Sequence, residues 1–225
     1  MVKGGGWPPK PGETTTPPAF RQNTKWHSKS AEWYRVHRYD TATGQYLPDQ
    51  FNDSLLGNAR FSPLQDPATG GVIPTIYAAG TKSAAIAEVI LHEAPTPSRG
   101  YLHDWQGDCS GMSHLSAVTI PALDLVDLTA LGLKGAGLRV SDLFDGNQPD
   151  YPRTRAWALY IWQTMPRAQG LWWMSVRDNT TPVIMLFGDR CPPSCLVVTA
   201  QPQHIRHFES EVISLLEDMQ ASMAP

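Results

Sequence analysis

The sequence predicts an α+β fold. Short apolar or alternating runs recur along the chain at strand length, and a few longer segments carry apolar residues at helical spacing. The strands arrive in clusters and do not alternate strictly with the helices, which is the pattern of segregated elements. With 225 residues, 41% of them hydrophobic, one full core can form. The longest apolar runs, such as 182–187, fall far short of the roughly 20 residues that cross a bilayer, so no membrane-spanning helix is expected.

Residues 1–30 hold a glycine run and then Pro8, Pro9, Pro11, Pro17 and Pro18 among threonines, the composition of a loosely ordered arm preceding a domain over 31–225. A strand is expected over 33–39, with Trp33, Arg35, His37 and Tyr39 on one side and Tyr34, Val36 and Arg38 on the other. Neither side is purely apolar, which suits a strand lining a cleft. The Gly-, Asn- and Pro-rich stretch 41–71 is a long connection, and long ordered connections in compact domains are often functional. A strand over 72–79 leads into a helix over 81–93, with Thr81 as N-cap and Ile86, Val89 and Ile90 as its apolar stripe; Pro95 and Pro97 end it. Strands follow over 115–120 and 123–128. A helix over 153–165 then carries Trp157, Tyr160, Ile161 and Thr164 in register. Further strands are expected over 171–176, 183–187 and 195–199. Ile205, Phe208, Val212, Leu215, Leu216 and Met219 mark a last amphipathic helix.

A net charge of −3 gives no global reason to bind nucleic acid or anionic lipid. No apolar stretch follows Lys3, so a cytoplasmic protein is expected, with Cys109, Cys191 and Cys195 as free thiols. Gly132, Gly135 and Gly137 do not have the spacing of a dinucleotide or P-loop fingerprint, and there is no Gly-x-Ser-x-Gly elbow and no His-Glu-x-x-His helix. Cys191, Cys195, His204 and His207 have a spacing that fits a zinc finger poorly, so no metal is expected.

Three segments remain. The first is Tyr34-Arg35-Val36-His37-Arg38. The second runs from Gly57-Asn58-Ala59-Arg60-Phe61-Ser62-Pro63 through Ile76-Tyr77-Ala78-Ala79 to Ala87-Glu88-Val89. The third is Gly170 to Arg177, a strand with a serine at its end. On the helical wheel Glu88 and His92 lie opposite the apolar stripe, beside the small Ala84 and Ala85, which leave room for a ligand.

This ordered set, with the Asp-Leu-Thr at Asp127, resembles the RES family, named for its Arg, Glu and Ser, over about residues 33–190. The resemblance implies a fold similar to ADP-ribosyltransferases, with mixed β-sheets and flanking helices, and cleavage of the nicotinamide–ribose bond of NAD. NAD is then a substrate and no cofactor is expected. Many members look like toxins of bacterial toxin–antitoxin pairs, which implies an Xre-type antitoxin as partner and DNA contact only through it. Carried over by position, Arg35 and Arg60 match the family's pocket arginines, Tyr77 its strand tyrosine beside Tyr34 on the first strand, and Glu88 its glutamate. Ser175 matches the family serine, with Thr154 as the alternative hydroxyl. The loop departs from the usual Gly-Gly-Arg-Trp-Asn by reading Gly57-Asn58-Ala59-Arg60-Phe61-Ser62.

These residue types suit the chemistry independently. Guanidinium forks match the oxygens of a pyrophosphate. An aromatic ring stacks on the flat cationic nicotinamide, and Trp33, Trp172 and Trp173 flank the set in sequence. A carboxylate stabilises the oxocarbenium character that develops on the ribose. The serine hydroxyl is expected to orient the nicotinamide ribose or amide. Hydrolysis, phosphorolysis and protein ADP-ribosylation by a toxin or secreted effector all remain open, as does a module that binds NAD without turnover.

Overall fold

A computed structural model describes Phe20 and residues 31–224, except 41, 44, 96–97, 106–112 and 146–149. The expected arm lies outside the described residues apart from Phe20, whose ring meets Trp157 edge-on at 5.7 Å. Trp7, Trp26 and Cys109 also lie outside them.

The chain forms β1 (Ala31–Arg38), β2 (Leu64–Gln65), β3 (Val72–Ile73), β4 (Thr75–Ala79) and α1 (Lys82–Val89), then β5 (Leu102–His103), β6 (Ser113–Ile120) and β7 (Leu125–Asp127). It continues with α2 (Ala130–Gly135), α3 (Ser141–Phe144), α4 (Tyr151–Thr164), β8 (Gly170–Met174), β9 (Pro182–Phe187) and β10 (Val197–His204). A 3-10 turn, Ile205–Phe208, α5 (Glu209–Asp218) and β11 (Ser222–Met223) close it. Seven strands make one mixed sheet in the order β10-β6-β1-β4-β9-β8-β7, parallel only between β7 and β8. The expected class, α+β with mixed sheets and flanking helices, holds.

Alternation along the central strands splits the core in two. Leu171, Trp173, Val183, Met185 and Phe187 join Ile86, Trp157 and Ile161 in the larger cluster under the helices. Trp172, Ile184 and Leu186 point the other way, toward Trp33, Val118 and Leu196. Gly170 permits the close approach of β8 to β9: a Cβ there would meet the Met185 carbonyl at 2.3 Å.

Several boundaries differ from expectation for identifiable reasons. The strand expected over 72–79 divides at Pro74, which has no N–H to donate; β3 pairs with β2 while β4 enters the main sheet. Helix α1 has its Thr81 cap, the hydroxyl accepting from Ala84 N at 3.1 Å, but ends at Val89. Ala84, Ala85 and Ile86 are its buried face, whereas Val89 is 46% exposed and leaves the expected stripe. The Asp-Leu-Thr motif is a helix cap: Asp127 Oδ1 accepts from Thr129 N and Oγ1, at 2.9 and 2.6 Å, and Thr129 caps α2. Strand β10 runs five residues past 199 through two register shifts, a mostly exposed edge whose burial pattern hides it. Among the described residues no helix is long and apolar enough to cross a membrane.

Candidate functional site

Strand β1 pairs with β6 along its whole length but with β4 only at Tyr34↔Ala79. Where that pairing stops, a cavity of about 380 Å³ opens, lined by Tyr34, Arg35 and Val36 on one strand and residues 75–79 on the other. The 41–71 connection crosses its far end: Thr75 and Asn52 exchange two backbone hydrogen bonds, of 2.8 and 3.0 Å.

Arg35 enters from β1. Its Nη1 donates to the carbonyls of Leu47, at 3.4 Å, and Pro48. Burial pushes the guanidinium down to about 10, partly offset by Asp49, and its buried Nε has no hydrogen-bond partner among the described residues. Two residues on, His37 Nδ1 faces the carbonyls of Arg38 and Tyr46, at 2.6 and 3.1 Å, so this nitrogen donates and Nε2 accepts from Ser116 Oγ at 2.8 Å. Burial, then the neighbouring Arg35 charge, push His37 down to about 4; it is neutral at pH 7.

Arg60 is delivered by a loop that Gly57, at φ +103°, turns into the cavity. The side chains of α4 hold that loop from behind. Thr154 Oγ1 donates to the Arg60 carbonyl, and Arg155 donates from Nε to the Ala59 carbonyl at 3.1 Å and from Nη2 to Asn58 Oδ1. The Arg60 guanidinium lies 5.1 Å from the Tyr151 ring centre and 5.7 Å from that of Phe144, and its Nη1 donates to the Leu143 carbonyl at 3.1 Å. Burial lowers its pKa, against the opposing pull of Tyr151 and Glu88. Tyr77, on β4, donates its hydroxyl to Ser62 Oγ and accepts from Phe61 N, both at 3.2 Å. Burial pushes that phenol up to about 12. Trp173 stands edge-on to it, centroids 6.3 Å apart, and completes an apolar wall.

Glu88 projects from α1 into the same cavity. Its Oε1 accepts from Ser175 Oγ at 2.6 Å and from Val176 N at 2.7 Å, while Oε2 has no hydrogen-bond partner among the described residues. Ser175 itself is buried and accepts from the backbone N–H of Arg177 and Asp178, at 3.1 and 3.2 Å.

The cavity therefore brings together Tyr34, Arg35, Arg60, Tyr77 and Glu88. Neither candidate hydroxyl lines it. Ser175 spends its proton on Glu88 from behind, and Thr154 spends its own on the Arg60 loop, so both place a neighbour where a substrate contact was expected. Tyr34 donates its hydroxyl to Glu32, with Lys82 Nζ 5.8 Å from its ring centre. Of the three flanking tryptophans only Trp173 reaches the cavity; Trp33 and Trp172 are buried in the opposite cluster because adjacent strand positions face opposite sides. Arg177 and His92 also line it. Neither had been assigned a role from sequence, although Arg177 closes the Gly-to-Ser segment and His92 lies one helical turn beyond Glu88. Cys191 and Cys195 are free thiols, Cys195 beside Cys191 raising its pKa, and His204 packs edge-on against His114 at 5.1 Å. Among the described residues no group of three or more His, Cys, Asp or Glu side chains is placed to hold a metal ion.

The RES domain matches residues 32–208 of the chain. No curated protein matches it by sequence. A chain in the crystal structure of the M. tuberculosis MbcT-MbcA toxin-antitoxin complex has a similar fold, with a TM-score of 0.54 and 16% identity, over 81% of this chain and 89% of that one.

Proposed function

The chain belongs to the RES domain family, and from that premise we propose that it is the toxin of a toxin–antitoxin pair and consumes NAD by cleaving the nicotinamide–ribose bond. The observation that carries the reading is a carboxylate with one oxygen tied down and the other free, Glu88, facing two anchored guanidiniums and an aromatic wall across one cavity. The arginines suit the pyrophosphate, since guanidinium forks match phosphate oxygens in charge and geometry and each is anchored by one terminal nitrogen on a backbone carbonyl. Trp173 and Tyr77 offer ring surface to the nicotinamide. As the glycosidic bond lengthens, positive charge builds on the ribose, and Glu88 Oε2 is the group to stabilise it; nicotinamide departs neutral, carrying the bonding pair. Water or phosphate then takes the ribosyl carbon. The likeness to a chain of a toxin–antitoxin complex supports a protein antitoxin as partner; that this antitoxin is of Xre type and covers the cavity, and that the pair is cytoplasmic, belongs to the same proposal.

Purified chain, free of any partner, is incubated with NAD with and without phosphate while free nicotinamide is followed. Release is expected, and the phosphate dependence names the acceptor. Radiolabelled ADP-ribose transferred onto protein in place of free product would replace the proposed reaction by protein modification, and no release at all would sink it. Glu88→Ala should slow release about a hundredfold or more, the few kcal/mol that one well-placed charge supplies.

A further inference from the structure

We infer that Arg177 is a third substrate-binding guanidinium, which joins Arg35 and Arg60 in holding the pyrophosphate of a dinucleotide in the cavity that Glu88 lines. The inference rests on the NAD reading above and names a residue that reading does not use. Among the described residues the charged side chains lining the cavity, histidine aside, are Arg35, Arg60, Arg177 and Glu88, an excess of positive charge inside a chain whose net charge is −3. Such a cavity focuses anions.

Arg177 is exposed but braced. Its backbone N–H donates to Ser175 Oγ at 3.1 Å and its Nη2 to the carbonyl of His92, just past the C-terminal end of α1. The turn is tightened further by Asp178 Oδ1, which accepts from Thr180 N and Thr181 N at 2.6 and 2.8 Å. With one terminal nitrogen held this way, the rest of the fork is presented to the cavity it lines. Among the described residues no carboxylate stands within ion-pair distance of Arg177. Its positive charge is felt at Arg60, where it adds to the burden of burial. Two like charges lining one partly dry cavity repel, and an anion seated between them relieves the repulsion. A diphosphate brings two charged groups that neighbouring guanidinium forks can share, each in bidentate geometry, where a single carboxylate offers one. Seated there, it lies next to Glu88, where the ribose of the same substrate must be.

Calorimetry on the full chain with inorganic pyrophosphate and, separately, orthophosphate tests the inference in wild type, Arg177→Gln, Arg177→Lys and Arg206→Gln, the last removing one positive charge outside the cavity. Arg177→Gln should weaken pyrophosphate binding about tenfold and raise the KM for NAD by a similar factor with little change in kcat, while Arg206→Gln changes neither. Arg177→Lys, which keeps the charge and loses the fork, should recover part of the affinity. Should Arg177→Gln fail to fold, the lysine variant carries the comparison: weaker pyrophosphate binding supports the inference and unchanged binding overturns it. Wild-type affinity in Arg177→Gln, no pyrophosphate binding by wild type, or a loss confined to orthophosphate would each overturn it as well. Pyrophosphate binding that depends on Arg177 in a protein that never releases nicotinamide would leave the anion site standing and remove the reaction assigned to it.

Discussion

Glu88 divides its carboxylate between the fold and the cavity: Oε1 is held by Ser175 and Val176, and among the described residues Oε2 has no hydrogen-bond partner. Ser175→Ala removes a buried hydroxyl that serves three groups, the Glu88 carboxylate and the N–H groups of Arg177 and Asp178. Leaving them short of a partner should cost about 1–3 kcal/mol of stability, seen by denaturant unfolding, and slow nicotinamide release by about tenfold or more because Glu88 loses its orientation. Release at the wild-type rate would show that Val176 alone suffices to aim the carboxylate. His37 makes a second prediction. Its pKa lies near 4 in the folded chain against an ordinary 6.5, so between those values the unfolded chain binds the extra proton and stability rises with pH. That contribution, about 3 kcal/mol, is complete above pH 6.5 and is lost as the pH falls toward 4. Measured across this window, the stability of His37→Gln should change less with pH than that of wild type; equal slopes would dismiss the effect. The residue types at the site were legible in the sequence, but the direction of each hydroxyl was not. Ser175 was expected to touch substrate, and its proton instead goes to a carboxylate 87 positions away.

At the scale of elements, the long regular segments were readable and the short ones were not. The mixed faces of β1, neither of them purely apolar, marked a strand beside a cleft, and that strand does border the cavity. Helices α2 and α3, of six and four residues, are too short to show a period and went unseen. The edge strand β10 was underestimated because its outward residues are polar and its ladder is interrupted by bulges. Close contact between β8 and β9 yields a prediction at this scale. Gly170→Ala would drive a methyl group into the Met185 carbonyl, 2.3 Å from the ideal Cβ position, and should destabilise the fold by about 1–3 kcal/mol as the two strands part. A melting curve superimposable on that of wild type would show that the strands adjust without cost.

For the whole molecule, a ligand that binds the folded cavity and not the unfolded chain must stabilise the fold. In Glu88→Gln, chosen to suppress the proposed turnover, NAD at about a hundred times its dissociation constant should contribute about 2.7 kcal/mol. For a chain of 225 residues that is a rise in melting temperature of roughly 5–11 °C. Thermal unfolding with and without NAD reads it directly, and an unchanged midpoint would mean that the cavity does not take the dinucleotide. At this scale the division between sequence and structure is clear. The sequence by itself determined the α+β class and the inventory of chemistry, since strand and helix periods are local and an ordered set of Arg, Tyr and Glu types survives in linear order. Only the tertiary structure decided which of those groups face one another. The cavity exists because β1 and β4 stop pairing after Tyr34↔Ala79, and Arg60 points into it because Thr154 and Arg155, more than ninety positions later, hold its loop. Strand pairing and long-range hydrogen bonds are set by the packing of the whole sheet, and no local pattern of residues encodes them.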